Sequence, residues 1–228
     1  MNPGMGKETF SEKCIWFYNN LSLNILLPGD VRVMNPYKDP DVLRIVQLFF
    51  RKFYSDDHPR IFLFGINPGR FGAGVTGITF TDPVRLEREC GIPSSLEKKP
   101  ELSSLFIYEM INRFGGTEKF FSTCFLTAVC PLGFVKNGKN MNYYDDKNLQ
   151  RSLEGFIVSS IREQLGFGAN RDICICLGEG KNFDFFKMLN EKYCFFQKII
   201  PLPHPRFIMQ YRLKRKEEYL QKYLDVLR

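Results

Sequence analysis

No Cys-x-x-Cys pair occurs anywhere in the 228 residues. That spacing is the usual mark of a zinc or iron-sulfur site, so neither a metal nor any other cofactor is expected. The cysteines are odd in number, seven, and sit in apolar contexts such as Ile173-Cys174-Ile175-Cys176 and Thr123-Cys124-Phe125. They read as buried free thiols of an intracellular, reducing compartment. No apolar run reaches the roughly 18 residues that span a bilayer, and the opening MNPGMGKETF has no apolar leader region. A membrane partner is therefore not expected. No Ser/Gly-rich, Pro-rich or low-complexity linker divides the chain, which predicts one domain over 1–228. GxGxxG and GxxxxGK[ST] are both missing, which counts against a phosphate cradle, and without a GxSxG elbow there is no setting for a nucleophilic serine.

What is present is a core-forming apolar share of 44%, unusually rich in Phe with 23, and a formal charge of +7 with a pI near 9.0. A basic domain of this kind favours an anionic partner, most often nucleic acid. The central stretch is Ile61 to Phe80. Its apolar run Ile61-Phe62-Leu63-Phe64 reads as a strand buried on both faces, and Gly65, Gly69, Gly72, Gly74 and Gly77 follow within a few residues. Such glycines let backbone approach a ligand closely, and loops at the carboxyl ends of parallel strands are where open α/β sheets bind ligands.

Around it, helical periodicity predicts helices over 8–21, from the Asp39 cap through Phe53, from the Asp82-Pro83 pair, and over 101–114 up to Gly115-Gly116. Further helices are predicted from Leu149 to Leu165, over 183–189 and over 213–228. Strands are predicted over 122–129, 173–177 and 195–202, with a turn at Asn137 to Asn140. The alternation implies an α/β fold, a three-layer αβα sandwich on a central four-stranded parallel sheet with right-handed crossovers.

The two histidines sit in identical tripeptides, His58-Pro59-Arg60 and His204-Pro205-Arg206. His58 precedes the first strand, roughly 13 Å from the glycine loop at the far end, and reads as a surface or packed residue. His204 follows the last strand, on the same edge as that loop and as Asn67. A neutral imidazole and an amide do not make a nucleophilic triad, but Asn67 can orient a water and His204 can donate to an oxygen that gains charge as a bond breaks. The pair suits hydrolysis with departure of a stabilised anion.

Asn67-Pro68-Gly69, Phe71-Gly72, Thr76-Gly77 and Phe80 stand at the spacing NPGxFGxxxTGxxF. With Cys130-Pro131-Leu132 and His204-Pro205 they resemble the motifs of the single-strand-selective monofunctional uracil-DNA glycosylases, a branch of the uracil-DNA glycosylase superfamily, from about Ile61 to the end. The resemblance implies an enzyme that flips a deaminated base out of DNA and hydrolyses its N-glycosidic bond. Asn67 would hold the water, His204 would stabilise the departing base, and Phe80 would stack on it. Backbone amides around Ile66, Gly69 and the other loop glycines, together with Phe71, would line the base. No lysine stands in the matched motifs, so no Schiff base is implied. Where the family carries an Asn that reads the uracil edge, two residues before Cys-Pro, this chain has Ala128; Thr127, Asn140 or Asn142 substitutes, or the pocket takes other deaminated bases such as xanthine. Arg206 to Gln210 would supply the wedge that fills the gap left by the base, with Arg206 or Phe207 inserting. Arg70 and Lys139 would contact phosphates. The expected assembly is a monomer on single-stranded or damaged duplex DNA. The alternative from another class is a non-catalytic binder of such DNA.

Overall fold

The computed structural model describes residues 8–228. The MNPGMGK segment, and with it most of the expectation about a leader, lies outside them. In chain order the elements are α1 (Phe10–Asn20), β1 (Arg32–Met34), a 3-10 turn (Pro36–Lys38), α2 (Pro40–Phe53), β2 (Arg60–Gly65), α3 (Ala73–Thr76), α4 (Pro83–Arg88), α5 (Leu102–Phe114) and α6 (Thr117–Thr123). There follow β3 (Cys124–Ala128), β4 (Gly133–Lys136), β5 (Lys139–Met141), α7 (Lys147–Leu165), β6 (Ala169–Leu177), α8 (Lys181–Tyr193), β7 (Lys198–Leu202), α9 (Pro205–Tyr211), a second 3-10 turn (Leu213–Arg215) and α10 (Lys216–Leu227).

The helix starts follow from local chemistry. Thr9 and Glu12 form a reciprocal capping box on α1. Asp39 and Asp82 each cap a helix whose first residue is proline, and Asp146 accepts from the amides of Asn148 and Leu149 at the start of α7.

The main sheet runs β3-β2-β6-β7 and is parallel throughout. Right-handed crossovers put α5 and α6 on one face and α7 and α8 on the other, which gives the three layers. The buried rings of Phe10, Phe62, Phe125 and Phe167 meet at centroid distances of 4.8 to 6.1 Å on the α1 side, and Phe64 meets Phe186 of α8 at 4.8 Å. Edge-to-face packing at these distances adds to the burial of large apolar area.

The register matters for function. Gly65 pairs with Ala128 at the carboxyl edge, so the last residues of β2 and β3 stand side by side beneath the glycine loop.

Several boundaries differ from the sequence reading. The strand expected from Ser122 begins at Cys124, because Ser122 and Thr123 close α6 with both hydroxyls on the Lys119 carbonyl. β7 begins at Lys198 rather than Phe195, since Cys194 turns left-handed and Asn190 clamps the backbone of Phe196 on both sides. The Asn137 to Asn140 turn is the tip of a hairpin in a second, antiparallel sheet ordered β1-β4-β5. Asn137 and Gly138 both take positive φ, the geometry that joins strands by a two-residue turn. Cys194 is exposed, against the expectation of uniformly buried thiols; the other six are buried. Among the described residues no helix is long and apolar enough to cross a membrane.

Candidate active site

The glycine loop, the hairpin tip and the start of α9 enclose a cavity of about 450 Å³ at the carboxyl edge of the sheet. Its floor is Phe80, whose backbone is held left-handed at φ +57°. A bulky residue in that region is strained and must be held there. Thr76 does the holding: its hydroxyl donates to the Thr81 carbonyl at 2.6 Å and accepts the Ile78 amide at 3.1 Å. Thr81 in turn lies 2.9 Å from the buried Tyr108 hydroxyl. Gly65 makes room for the ring, since a Cβ there would stand 2.8 Å from its tip.

Asn67 lines the cavity with its amide already fixed. Nδ2 donates to the Met141 carbonyl at 3.2 Å, and Oδ1 accepts the Tyr143 amide at 3.0 Å. The β5 strand therefore sets the orientation of Asn67, and Tyr143 is anchored through its hydroxyl to Asn182. An amide oxygen has a second lone pair, which leaves Oδ1 able to hold a water. Gly133 permits this docking: a Cβ on it would strike Met34 and come within 2.7 Å of the Pro68 carbonyl.

His204 is the N-cap of α9, and its Nδ1 accepts the Arg206 amide at 3.1 Å. That bond places the proton of the neutral ring on Nε2. Burial, followed by the Arg206 guanidinium, lowers the imidazole pKa to about 4, so the ring is neutral around neutrality. The loop before it is fixed from α10, where buried Tyr223 donates to the Pro203 carbonyl. The rings of His204 and Phe80 lie 5.7 Å apart. A neutral donor thus stands beside an aromatic floor, with a positioned amide in the same cavity.

Ile66, Gly69, Asn140, Asn142, Arg206 and Phe207 also line the cavity. Asn140 accepts the Arg70 amide at 3.2 Å through Oδ1. Asn142 is engaged with Asp145, through its backbone amide at 2.8 Å and its side chain at 3.4 Å. Ala128 lines the wall without a polar side chain.

Three expectations change. Phe71 is not in the cavity; its ring is 43% exposed and lies under the Arg70 guanidinium at 4.7 Å. Thr127 does not replace the missing Asn, because its hydroxyl is buried against Gln164 of α7. The amides of Gly72 and Gly74 are not aimed at a base, since both donate to the Gly69 carbonyl. The segment from Arg206 to Gln210, where the wedge is expected, is helical; Phe207 sits on its exposed side, 40% accessible, near Tyr211 and Arg212. Arg70 and Lys139 are exposed on the rim, where the Arg70 guanidinium also donates to the Gly138 carbonyl at the hairpin tip.

Among the cavity residues that the sequence reading does not single out, one carries a carboxyl. Glu101, taken there only as a helix start, is the N-cap of α5 and turns its carboxyl into the cavity under Gly69 and Gly72. A Cβ on Gly72 would overlap that carboxyl. Two glycines of the loop motif are therefore the signal that a side chain from elsewhere occupies the space beneath them.

No curated protein matches the chain. Among solved structures, the crystal structure of wild-type Pedobacter heparinus SMUG2 superposes with a TM-score of 0.93 at 47% sequence identity, over 96% of this chain and 97% of that one. The model of the uracil DNA glycosylase superfamily matches residues 52–228, which take in the glycine loop, the hairpin, the Glu101 cap and the His204 turn. The chain belongs to the uracil DNA glycosylase superfamily and is a DNA N-glycosylase.

Proposed function

We propose that the enzyme is a monofunctional glycosylase of base excision repair that removes uracil or a related deaminated base from DNA. The observation that carries this reading is the His204 turn. Because Nδ1 is occupied by the Arg206 amide, Nε2–H is the donor left to a ring that lines the cavity, and burial keeps the ring from charging. A neutral donor suits an oxygen on which negative charge develops, as it does on a pyrimidine or purine leaving as its anion.

The flipped base stacks on Phe80 and is covered at the mouth by the start of α9. Water held by Asn67 Oδ1 attacks C1′ of a sugar with oxocarbenium character, and the proton that the water sheds ends on the departed base anion. The new C1′–O bond forms as the C1′–N bond breaks, and its electron pair leaves with the base, whose oxygen accepts from His204 Nε2–H. Flipping costs a few kcal/mol, least in single strands and mismatches, so those substrates are favoured. Phe207 is the wedge, as the exposed apolar residue at the mouth, and Arg70, Lys139 and Arg206 meet phosphates around it. The working unit is one chain. Six buried free thiols fit a reducing intracellular compartment.

The test is single-turnover release from oligonucleotides carrying uracil, xanthine or hypoxanthine, single-stranded and paired, with alkali to cut the abasic sites. Release of uracil or xanthine supports the reading. DNA binding with no release from any of them contradicts it.

A further inference from the structure

Glu101 Oε1 and Asn140 Nδ2 converge on one point. They lie 3.5 and 3.6 Å from the place that a Cβ on Gly69 would take, and both residues line the base cavity. They arrive there from unrelated elements, the cap of α5 and the strand β5. Glu101 is fixed at its backbone, where its amide donates to Asp82 Oδ2 at 2.9 Å. Asn140 is fixed through Oδ1 on the Arg70 amide, which leaves its nitrogen as the inward group. Neither residue serves the water or the leaving oxygen, and the neighbouring wall at Ala128 offers no polar side chain.

We propose that Glu101 and Asn140 read the flipped base, the Glu101 carboxyl pairing with its ring N–H and one carbonyl and the Asn140 amide donating to a second carbonyl. The assignment rests on the glycosylase reading above. It specifies bases with an imide edge, C=O, N–H, C=O, as in uracil and xanthine.

The charges around Glu101 decide which form reads the base. Asp82 stands beside it at the start of α4, with Arg85 3.7 Å from Asp82, and Arg206 approaches from α9. Burial, reinforced by the Asp82 charge and opposed by Arg206, raises the Glu101 pKa to about 7. A protonated carboxyl carries one donor beside an acceptor, the pattern of a carboxamide. With Asn140 it completes a donor-acceptor-donor set complementary to an imide. An ionised carboxylate has no donor and would face the base carbonyls with negative charge.

The experiment is uracil release under single turnover from about pH 5.5 to about pH 8, by wild type, Glu101→Gln and Glu101→Ala, with hypoxanthine as second substrate. Uracil and hypoxanthine are neutral around neutrality, so the profile reports the enzyme. The wild-type rate is expected to fall above about pH 7, roughly tenfold per unit, while Glu101→Gln stays within about threefold of wild type at low pH and lacks that alkaline fall. Glu101→Ala is expected to lose roughly 10- to 100-fold at low pH, the cost of leaving a buried polar edge unpaired, and more on uracil than on hypoxanthine. A Glu101→Ala enzyme with wild-type rate and an unchanged alkaline limb overturns the assignment. So does a Glu101→Gln enzyme that keeps the alkaline fall or is as slow as the alanine variant, and the Gln comparison decides alone if the alanine variant does not fold. No release by the wild type overturns the glycosylase reading together with this assignment.

Discussion

The tripeptide His-Pro-Arg stands at both ends of the parallel sheet, as His58-Pro59-Arg60 leading into β2 and His204-Pro205-Arg206 leading out of β7. In the first copy the histidine side chain is 73% exposed and the arginine is fully buried. Arg60 donates to both Asp56 carboxylate oxygens and to the carbonyls of Phe121 and His58, and it lies over the rings of Phe10 and Tyr54. In the second copy the histidine turns into the cavity and the arginine outward. Proline explains the reversal. Before a strand, Pro59 extends the chain so that the next residue enters the sheet, whereas Pro205 takes the first position of α9 and makes the preceding His204 a cap. The same three residues thus build a structural cation at one edge and a chemical donor at the other.

The largest expected effect breaks the structural copy. Arg60→Ala strands Asp56 and leaves two carbonyls without a donor, which should cost about 3 to 5 kcal/mol, read as a fall in the urea midpoint. Retained stability would mean that Arg60 is incidental.

Next comes the acid side of the functional copy. Burial holds the His204 pKa at about 4 in the folded protein against the ordinary 6.5 of an imidazole, so the unfolded chain binds more protons between them. Its share of stability is therefore present above about pH 6.5 and lost as pH falls toward about 4, and His204→Asn should flatten that part of the stability profile. An unchanged profile in the variant would place the ring in water.

Arg206→Ala should act on DNA and not on folding, lowering affinity and reducing the slope of log K against log salt by about 1. A slope equal to that of wild type would remove Arg206 from the phosphate path. Smallest of all, His58→Ala should leave stability within about 0.5 kcal/mol and leave release unchanged. An appreciable loss there would end the contrast between the copies.

How much of this was legible in the sequence follows from the range of the signals. The four parallel strands were legible because buried apolar runs such as Phe62 to Phe64 and Ile173 to Leu177 are local patterns. The placing of Asn67 and His204 in one cavity followed from topology, since both come after strand ends on one edge, whereas Phe80 followed from the motif resemblance. The second sheet was not legible as a sheet: its strands are three or four residues long, and only Asn137-Gly138 marked the turn between them. The same holds for α6 and α9, seven residues each, which are too short for a 3.6-residue period to show. Glu101 was hidden for a different reason. Its function lies in a contact about thirty residues away in sequence, with Gly69 and Gly72, which no window around Glu101 contains. Phe71 failed in the opposite sense: motif spacing put it at the base, and the loop turns its ring outward onto Arg70.

The most direct measurement is single-turnover release of uracil from single-stranded DNA by wild type, Asn67→Ala and His204→Ala, with DNA affinity measured alongside by anisotropy. The expected result is a loss of roughly 10² or more in rate for each variant, as for removal of one donor to a developing anion, with affinity largely kept. Rates near wild type in both variants would contradict the assigned chemistry.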